Sequence, residues 1–284
     1  MTQEDKRTFS LEYFPPRSEK GELSLAVARK ELSKLKPAFA SVTFGAGGST
    51  QDGTYQTVSS IIQEDGIEAA PHISCISTDR ATLAEMLAGY QELGVKRLVA
   101  LRGDLPSGYG MTEHNELRYA SELVEFIRQQ TGDHFTIEVA AYPEFHPQAS
   151  SPQADLDNFK RKVDAGADSA ITQYFFNPDA YFRFIDDCQQ MNVDIPVIPG
   201  IMPITNYKQL ARFSDACGAE IPRWIRKRLE SYGDDLESIR EFGLDVVTNM
   251  CELLLEGDAP GLHFYSMNRS EPIKTIWNEL NLSG

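Results

Sequence analysis

The feature that most constrains the fold of this chain is an alternation between short β-branched or aromatic runs and longer segments with helical periodicity. Two of the amphipathic segments, 79–94 and 244–257, end at a glycine, which is typical of a helix C-terminus. Eight runs have strand character: 8–14, 38–44, 68–76, 97–103, 135–142, 169–175, 194–201 and 262–267. Eight strands that alternate with helices predict an α/β fold, the (β/α)8 TIM barrel, as one domain over residues 1–284.

A doubly wound open sheet is the main competing fold, and the glycine pattern argues against it. Such sheets bind dinucleotides with a Gly-x-Gly-x-x-Gly turn directly after the first strand. The nearest glycine-rich stretch here, "TFGAGGST" at residues 43–50, follows the second strand candidate and lacks that spacing. The number of strands also fits closure, so the barrel is the preferred fold.

Charge and composition argue against several classes of protein. The formal net charge of −15 would repel the phosphates of a nucleic acid. Apolar runs are too short to span a membrane, and residues 1–10 lack the apolar core of a signal peptide, so we expect a cytoplasmic protein. The cysteines form no Cys-x-x-Cys pair and the histidines form no His-x-His or His-Glu-x-x-His motif, so we expect no metal site.

Polar or ionisable residues stand at the C-terminal ends of nearly all the strand candidates. In barrel enzymes, these strand ends and the loops after them form the active site. The residues are Glu12, Thr43, His72, Arg102, Asp104, Tyr142, His146, Gln173 and Arg269. Their convergence at one mouth of the barrel predicts a functional site.

Glu12 is the least expected of these residues, because it lies between Leu11 and Tyr13 in a run where an unpaired carboxylate is costly to bury. The two-residue period of a strand places Ser10, Glu12 and Phe14 on the inward face, with Leu11 and Tyr13 toward the helices. The sequence therefore predicts an acid in the barrel mouth, beside an aromatic ring.

Each candidate alone also fits a purely structural role. Glu12 could form an ion pair with Arg17 or Arg102, His72 could be a hydrogen-bonded core histidine, and Phe213 lies at the spacing of a buried helix face. No P-loop and no nucleophile elbow is present in the sequence. Hydrogen-bonding groups, glycines and aromatic residues around one acid suit a large planar ligand with polar edges, such as a flavin.

Several long motifs carry a resemblance to a known family. They are "SLEYFPPRS", "SVTFGAGGS", "AAPHISCI", "LRGDLPSG", "VAAYPEFHPQA", "FKRKVDAGADSAITQYFF", "IPGIMPITNYKQLARF" and "FYSMNRSE". In this order, from about Phe9 to the C-terminus, the chain resembles the methylenetetrahydrofolate reductases. It is similar to the short bacterial form, which has the catalytic barrel and no regulatory domain.

The resemblance implies an activity and a set of partners. Members of the family reduce 5,10-methylenetetrahydrofolate to 5-methyltetrahydrofolate, which supplies methyl groups for methionine synthesis. They use FAD that is reduced by NADH or NADPH, and the two substrates visit the flavin in turn, which gives ping-pong kinetics. Relatives form homo-oligomers, so the resemblance implies one here as well.

The resemblance also implies roles for individual residues. Glu12 matches the general acid that protonates the departing folate nitrogen, a role that calls for a raised pKa. Asp104 matches an aspartate beside the flavin and the pterin, and the substrate-binding set is Glu12, Asp104, Gln173, Gln209, Phe213 and Arg269. The matches for FAD are Thr43, His72, Leu101, Arg102, Gly103, Asp104, Arg118, Tyr119, Ala120, Tyr142, His146, Ala149, Asp155, Asn158, Arg161 and Lys162.

Three rival interpretations remain open at this point. Another flavin-dependent barrel enzyme, such as a proline-oxidising dehydrogenase, would have its flavin reduced by proline and not by methyltetrahydrofolate. A folate-binding or methyl-carrier protein without redox chemistry would be colourless. A reductase that receives electrons from an iron–sulfur partner would need no clustered cysteines of its own.

Overall fold

Parallel strands and surrounding helices account for most of the computed structural model, which describes residues 7–44, 48–76, 78–103 and 116–282. The strands are β1 (Thr8–Tyr13), β2 (Phe39–Val42), β3 (Glu68–Ser74), β4 (Arg97–Leu101), β5 (Thr136–Ala141), β6 (Ser169–Thr172), β7 (Val197–Ile198), β8 (Gly200–Ile201) and β9 (Gly261–Tyr265). The α-helices are α1 (Glu19–Leu32), α2 (Gly48–Ser60), α3 (Arg80–Glu92), α4 (Ala120–Thr131), α5 (Pro152–Asp164), α6 (Pro178–Gln190), α7 (Tyr207–Cys217), α8 (Arg223–Tyr232), α9 (Leu236–Glu256) and α10 (Glu271–Glu279). A short 3-10 turn, Ser33–Leu35, follows α1, and a π-helical turn, Ile61–Asp65, extends α2.

The strands close into a barrel through one interrupted segment. All pairings are parallel, in the order β7-β6-β5-β4-β3-β2-β1-β9-β8. The two outermost strands are the halves of the predicted strand 194–201, and they are separated by Pro199, which has no N–H to donate. Since β7 pairs with β6 and β8 pairs with β9, this segment joins both ends of the sheet. The predicted TIM-type barrel is confirmed, with its seventh strand split in two.

The alternation predicted for β1 is also confirmed. Leu11 and Tyr13 are buried in the large apolar layer between the sheet and the helices. Ser10 is fully buried on the opposite face, where its hydroxyl shares a hydrogen bond with a side chain from β9. A separate small cluster fills the middle of the barrel, and its members are Phe39, Ala70, Val99, Ile171 and Leu101.

Charged residues close the barrel at the end opposite the mouth. Arg97, the first residue of β4, donates hydrogen bonds to Glu138 and, at 3.0 Å, to Glu68. The Glu138 side chain is fully buried, so Arg97 is the counter-charge that makes its burial tolerable. The guanidinium also lies 4.5 Å above the ring of Phe39, which covers the charges from the mouth side.

Gly200 allows the interrupted strand to pass close to its neighbours, so we expect Gly200→Ala to destabilise the barrel. An added Cβ would lie 2.2 Å from the carbonyl oxygen of Thr172 and 2.8 Å from Tyr265 Oη, which donates a hydrogen bond to that same carbonyl. Overpacking of this kind costs about 1–3 kcal/mol, measurable as a fall in Tm. The control is Gly89→Ala in α3, where the nearest atom would be 3.9 Å away and helix propensity favours alanine. Equal Tm values for the two variants would contradict the close-approach argument.

None of the helices in the described part of the chain is long and apolar enough to cross a membrane.

Candidate active site

Glu12 lies near the C-terminal end of β1, in contact with side chains from three other strands. Its Oε2 atom is 3.3 Å from His72 Nε2 and 3.7 Å from His263 Nε2, and it accepts a hydrogen bond of 3.5 Å from Ser41 Oγ. Strand register explains the convergence, because Glu12 is aligned with Ser41 on β2 and with Tyr265 on β9. The carboxylate side chain remains 18% exposed, so it is accessible from the mouth.

The protonation of Glu12 differs from the sequence-based expectation. Burial by itself raises the pKa of this carboxyl, but the polar contacts with the His263 and His72 imidazoles outweigh burial and lower its pKa to about 2. The carboxyl is therefore ionised at neutral pH in this structure, and the expectation of a raised pKa is wrong for this state. Among the described residues, its ion-pair partners are these two histidines and neither Arg17 nor Arg102.

The loop after β9 fixes the mouth end of β1. Both the hydroxyl and the backbone N–H of Ser266 donate to the carbonyl oxygen of Glu12. The side chain of Asn268 accepts from the N–H of Phe14 at 3.1 Å and donates to its carbonyl at 2.9 Å. Met267 and Asn268 have φ values of 50° and 54°, a left-handed conformation that asparagine adopts more readily than most residues. The backbone around Glu12 is thus held on both sides of the carboxylate.

The chain turns sharply after β4, which ends two residues earlier than predicted. Gly103 has a φ of 87°, and a Cβ at this position would lie 2.0 Å from Ser74 Oγ. Ser74 Oγ donates to the carbonyl oxygen of Arg102 at 2.9 Å, and the Arg102 side chain donates to Gln148 in the loop after β5. Arg102 and Gly103 therefore form an ordered corner at the mouth. Asp104, the next predicted site residue, lies outside the described residues.

The loop after β5 brings three predicted cofactor-binding residues together. The rings of Tyr142 and His146 are 4.7 Å apart and nearly perpendicular. The backbone N–H of His146 donates to Asp155 Oδ2 at 2.9 Å, and its Nδ1 accepts from the N–H of Gln148 at 3.0 Å. Ala149 donates its N–H to the carbonyl oxygen of His146 at 2.9 Å. His146 thus organises a turn and also lies at the mouth.

Helix α5 carries the basic residues predicted to bind the cofactor, and they occupy different environments. Arg161 is exposed and donates to the Asn158 side chain one turn earlier. Lys162 is turned toward the sheet, where its Nζ donates to the carbonyl oxygen of Ala140 at 2.5 Å. Burial lowers the pKa of Lys162 to about 8, against the opposing charge of Asp155. Arg161 is consequently the more accessible cation of the two.

Four of the predicted substrate-binding residues lie on three elements around the mouth. Gln173, directly after β6, lines a small cavity together with Tyr142. Gln209 and Phe213 lie on α7, where Gln209 is exposed and Phe213 is half-buried, outside the buried face of that helix. Arg269 is exposed after β9. Phe213 is therefore not one of the fully buried core residues that its helical spacing also suggested.

The remaining predicted cofactor-binding residues lie at the edges of the mouth. Thr43 follows β2 and donates its N–H to the carbonyl oxygen of Tyr13 at 2.9 Å. Arg118 and Tyr119 are exposed directly before α4, and Ala120 is the half-buried first residue of that helix. Arg118 lines a cavity of about 400 Å³ with residues of α3 and α4.

His263 is a member of the site that the sequence-based reasoning missed. In the sequence it is one of five histidines, none of which belongs to a metal-ligand motif. A closed barrel brings the last strand beside β1, and residues two positions apart on a strand share a face. The position of His263 two residues before Tyr265 on that last strand is the signal that would have found it. The register confirms this neighbourhood, since Ser10 is aligned with His263.

A closed barrel of parallel strands, with an acid between two imidazoles at the C-terminal strand ends, defines a (β/α)8-barrel enzyme. The family model described as "Methylenetetrahydrofolate reductase" matches residues 1–281. The chain belongs to this family of folate oxidoreductases.

Individual relatives agree with the family assignment. The 5,10-methylenetetrahydrofolate reductases of Salmonella typhimurium and Escherichia coli are each 41% identical over 273 residues, which cover 96% of this chain and 90% of theirs. Methylenetetrahydrofolate reductase (NADH) 1 of Arabidopsis thaliana is 36% identical, over 94% of this chain and 47% of the plant protein. A solved Clostridium thermocellum protein, described as binding two copies of 5-methyl-5,6,7,8-tetrahydrofolic acid, shares the fold with a TM-score of 0.63 and 17% identity, over 96% of this chain and 95% of its own.

Proposed function

We propose that this protein reduces 5,10-methylenetetrahydrofolate to 5-methyltetrahydrofolate, with FAD as the bound cofactor and NADH or NADPH as the electron donor, in a ping-pong cycle. The observation that supports it most directly is the position of Glu12. This carboxylate faces the mouth from β1, remains partly accessible and has two imidazoles within 3.7 Å. An acid in such a place can deliver a proton to a substrate nitrogen as the methylene bridge opens.

The donor groups around the mouth fit a flavin dinucleotide. His72 Nε2 is buried and makes no geometrically complete hydrogen bond among the described residues, although it lies at ion-pair distance from Glu12. A buried nitrogen of this kind suits a polar ring edge. When bound, the flavin supplies hydride transfer between the nicotinamide and the folate. Arg102 and Tyr142 stand at neighbouring strand ends, and Arg161 offers positive charge for a pyrophosphate.

The substrate-binding residues would act in two ways. Gln173 and Gln209 carry amide groups that can hydrogen-bond the edges of a pterin, and Phe213 presents an accessible ring on which a flat ligand can stack. Arg269 is an exposed cation at the rim and can meet a carboxylate of the folate tail. For Asp104, outside the described residues, the proposal rests on the family resemblance alone.

The visible spectrum of the purified protein tests this function. A flavin spectrum that is bleached anaerobically by NADH or NADPH, and restored by methylenetetrahydrofolate, is the expected result. The initial rates with the two nucleotides identify the preferred donor. A colourless protein that binds folate would favour the carrier interpretation, and bleaching by proline would favour the dehydrogenase interpretation. Bleaching by neither nucleotide, but by methyltetrahydrofolate, would indicate a separate electron-donating partner.

A further inference from the structure

A fully buried imidazole lies directly behind the proposed acid. His263 has no solvent exposure, and its Nδ1 shares a hydrogen bond of 2.7 Å with Ser10 Oγ. Its Nε2 faces Glu12 Oε2 at 3.7 Å and Ser41 Oγ at 3.5 Å. One side of the ring is stacked on Phe39, at a centroid distance of 5.9 Å. The orientation of the imidazole is therefore fixed, with one nitrogen directed at the acid.

A proton donor at this position needs a neighbouring store for its proton. Glu12 is ionised at neutral pH in this structure because the two imidazoles outweigh the effect of burial on its pKa. A carboxylate in that state has no proton of its own to deliver. The proton can be supplied by a neighbouring group that lies close enough to exchange it with Glu12. His263 satisfies this requirement, because it is buried, hydrogen-bonded at its other nitrogen and directed at the carboxylate.

We propose that His263 is a positioning residue that stores the proton which Glu12 delivers to the folate. The inference deepens the proposed function and rests on it. In the charged cluster, Nδ1–H of His263 donates to Ser10 Oγ, and Nε2–H faces Glu12. The Nε2–H bond breaks and the Oε2–H bond forms as Glu12 becomes the acid. The imidazole is left neutral and retains its hydrogen bond to Ser10.

The transfer requires little movement and can be reversed through Glu12, which is partly exposed. Hydrogen bonds in a catalytic site are often long in the absence of substrate, and 3.7 Å shortens to a normal length through a side-chain shift of less than about 1 Å. Since His263 is sealed within the barrel and Glu12 is partly exposed, the histidine regains its proton through the carboxylate after the product leaves.

The charges around His263 favour this arrangement. The titratable or charged groups nearest to it are Glu12 on β1, His72 on β3, Arg97 on β4 and Tyr265 on β9. Arg97 lies on the far side of Phe39 from His263 and forms ion pairs with Glu68 and Glu138. Tyr265 is uncharged at neutral pH because burial and the charge of Glu12 raise its pKa well above the ordinary range. Glu12 is thus the carboxylate that faces this imidazole.

The test compares the two half-reactions in His263→Gln over a range of pH. Flavin reduction by the nicotinamide should keep its rate and pH profile, because no proton from Glu12 is needed there. Reoxidation by methylenetetrahydrofolate should slow by about 100-fold at pH 7, the lower end of the range for loss of general acid catalysis. The alkaline limb of its pH profile should move to lower pH. Removing one of several sites that share a proton lowers the apparent pKa of the cluster for that proton.

Ser10→Ala provides a second variant that keeps the imidazole. It removes the partner of Nδ1, and we expect a smaller slowing with a shift of the alkaline limb in the same direction. If His263→Gln fails to bind flavin, Ser10→Ala decides the question. The matched control is His134→Gln, which should leave both half-reactions unchanged. The Nε2 atom of His134 hydrogen-bonds to the Val95 carbonyl at the end of the barrel opposite the mouth, because each residue lies two positions before a strand.

The outcomes separate this inference from the function on which it rests. A wild-type flavin that methylenetetrahydrofolate cannot reoxidise overturns both. A wild-type protein with both half-reactions, together with variants whose folate pH profile superimposes on the wild type, overturns the role of His263 alone. Equal slowing of the two half-reactions, without a shift of the alkaline limb, would reduce His263 to a packing residue and also overturn the inference.

Discussion

Glu12→Gln is expected to abolish the folate half-reaction while flavin binding and flavin reduction by the nicotinamide persist. Glutamine preserves the shape of the side chain, but it has no acidic proton to give to a departing nitrogen. The loss of a general acid typically costs about 10²–10⁴-fold in rate. Stopped-flow absorbance of the reduced flavin, mixed anaerobically with methylenetetrahydrofolate, measures this loss directly.

The position of Glu12 explains why the effect should be confined to one half-reaction. The carboxylate contacts two imidazoles and one hydroxyl, and none of these contacts bears on the apolar layer that stabilises the barrel. A suitable control is Glu271→Gln, the same chemical change on a side chain that is 80% exposed at the start of α10. Near-normal reoxidation of the flavin in Glu12→Gln would show that another group is the acid.

Arg97→Met is expected to cause the largest loss of stability. It would leave the fully buried Glu138 carboxylate without its counter-charge in the floor of the barrel. Breaking a buried ion pair from one side costs about 3–5 kcal/mol, because the remaining charge is desolvated and unpaired. Urea unfolding followed by circular dichroism gives the change in the free energy of unfolding.

Two further variants separate charge burial from packing. Arg97→Met combined with Glu138→Leu should recover most of the loss, because replacing a whole buried pair by apolar groups is often neutral or stabilising. Lys208→Met, which breaks the exposed pair with Asp234, should change stability by less than about 1 kcal/mol. If the double variant is no more stable than Arg97→Met, the loss comes from the removed contact with Phe39 and not from the unpaired charge.

The barrel could be predicted from the sequence because its strands repeat one pattern. Leu11 and Tyr13 alternate with Ser10 and Glu12, and the same period is visible in the other strand candidates. The interruption at Pro199 could have been expected from its missing N–H, since the seventh candidate contains this proline. The pairing of that segment with β6 on one side and with β9 on the other required the closed sheet.

Site residues near the C-terminal ends of strands could be predicted from the sequence. Residues that belong to the site because two strands pair were harder to predict. Glu12 and His72 were found because polar groups at strand ends are conspicuous. His263 was not, because its significance comes from a neighbour 251 positions away, at 3.7 Å across the β1–β9 pairing. The direction of the Glu12 pKa shift was misjudged for the same reason. The apolar neighbours of Glu12 in the sequence indicate burial, which raises the pKa, but the imidazoles that lower it come from other strands.

The β1–β9 pairing also bears on when this site can form during synthesis. Ser10 and His263 are separated by 253 positions, and ribosomes add about 5–20 residues per second. During synthesis, β1 therefore precedes its neighbour β9 by roughly 10–50 s, and the backbone groups that pair with β9 have no partner from that strand in this interval. A nascent chain in that interval has neither the finished proton donor nor a sealed edge, and it is then that chaperone binding would matter most.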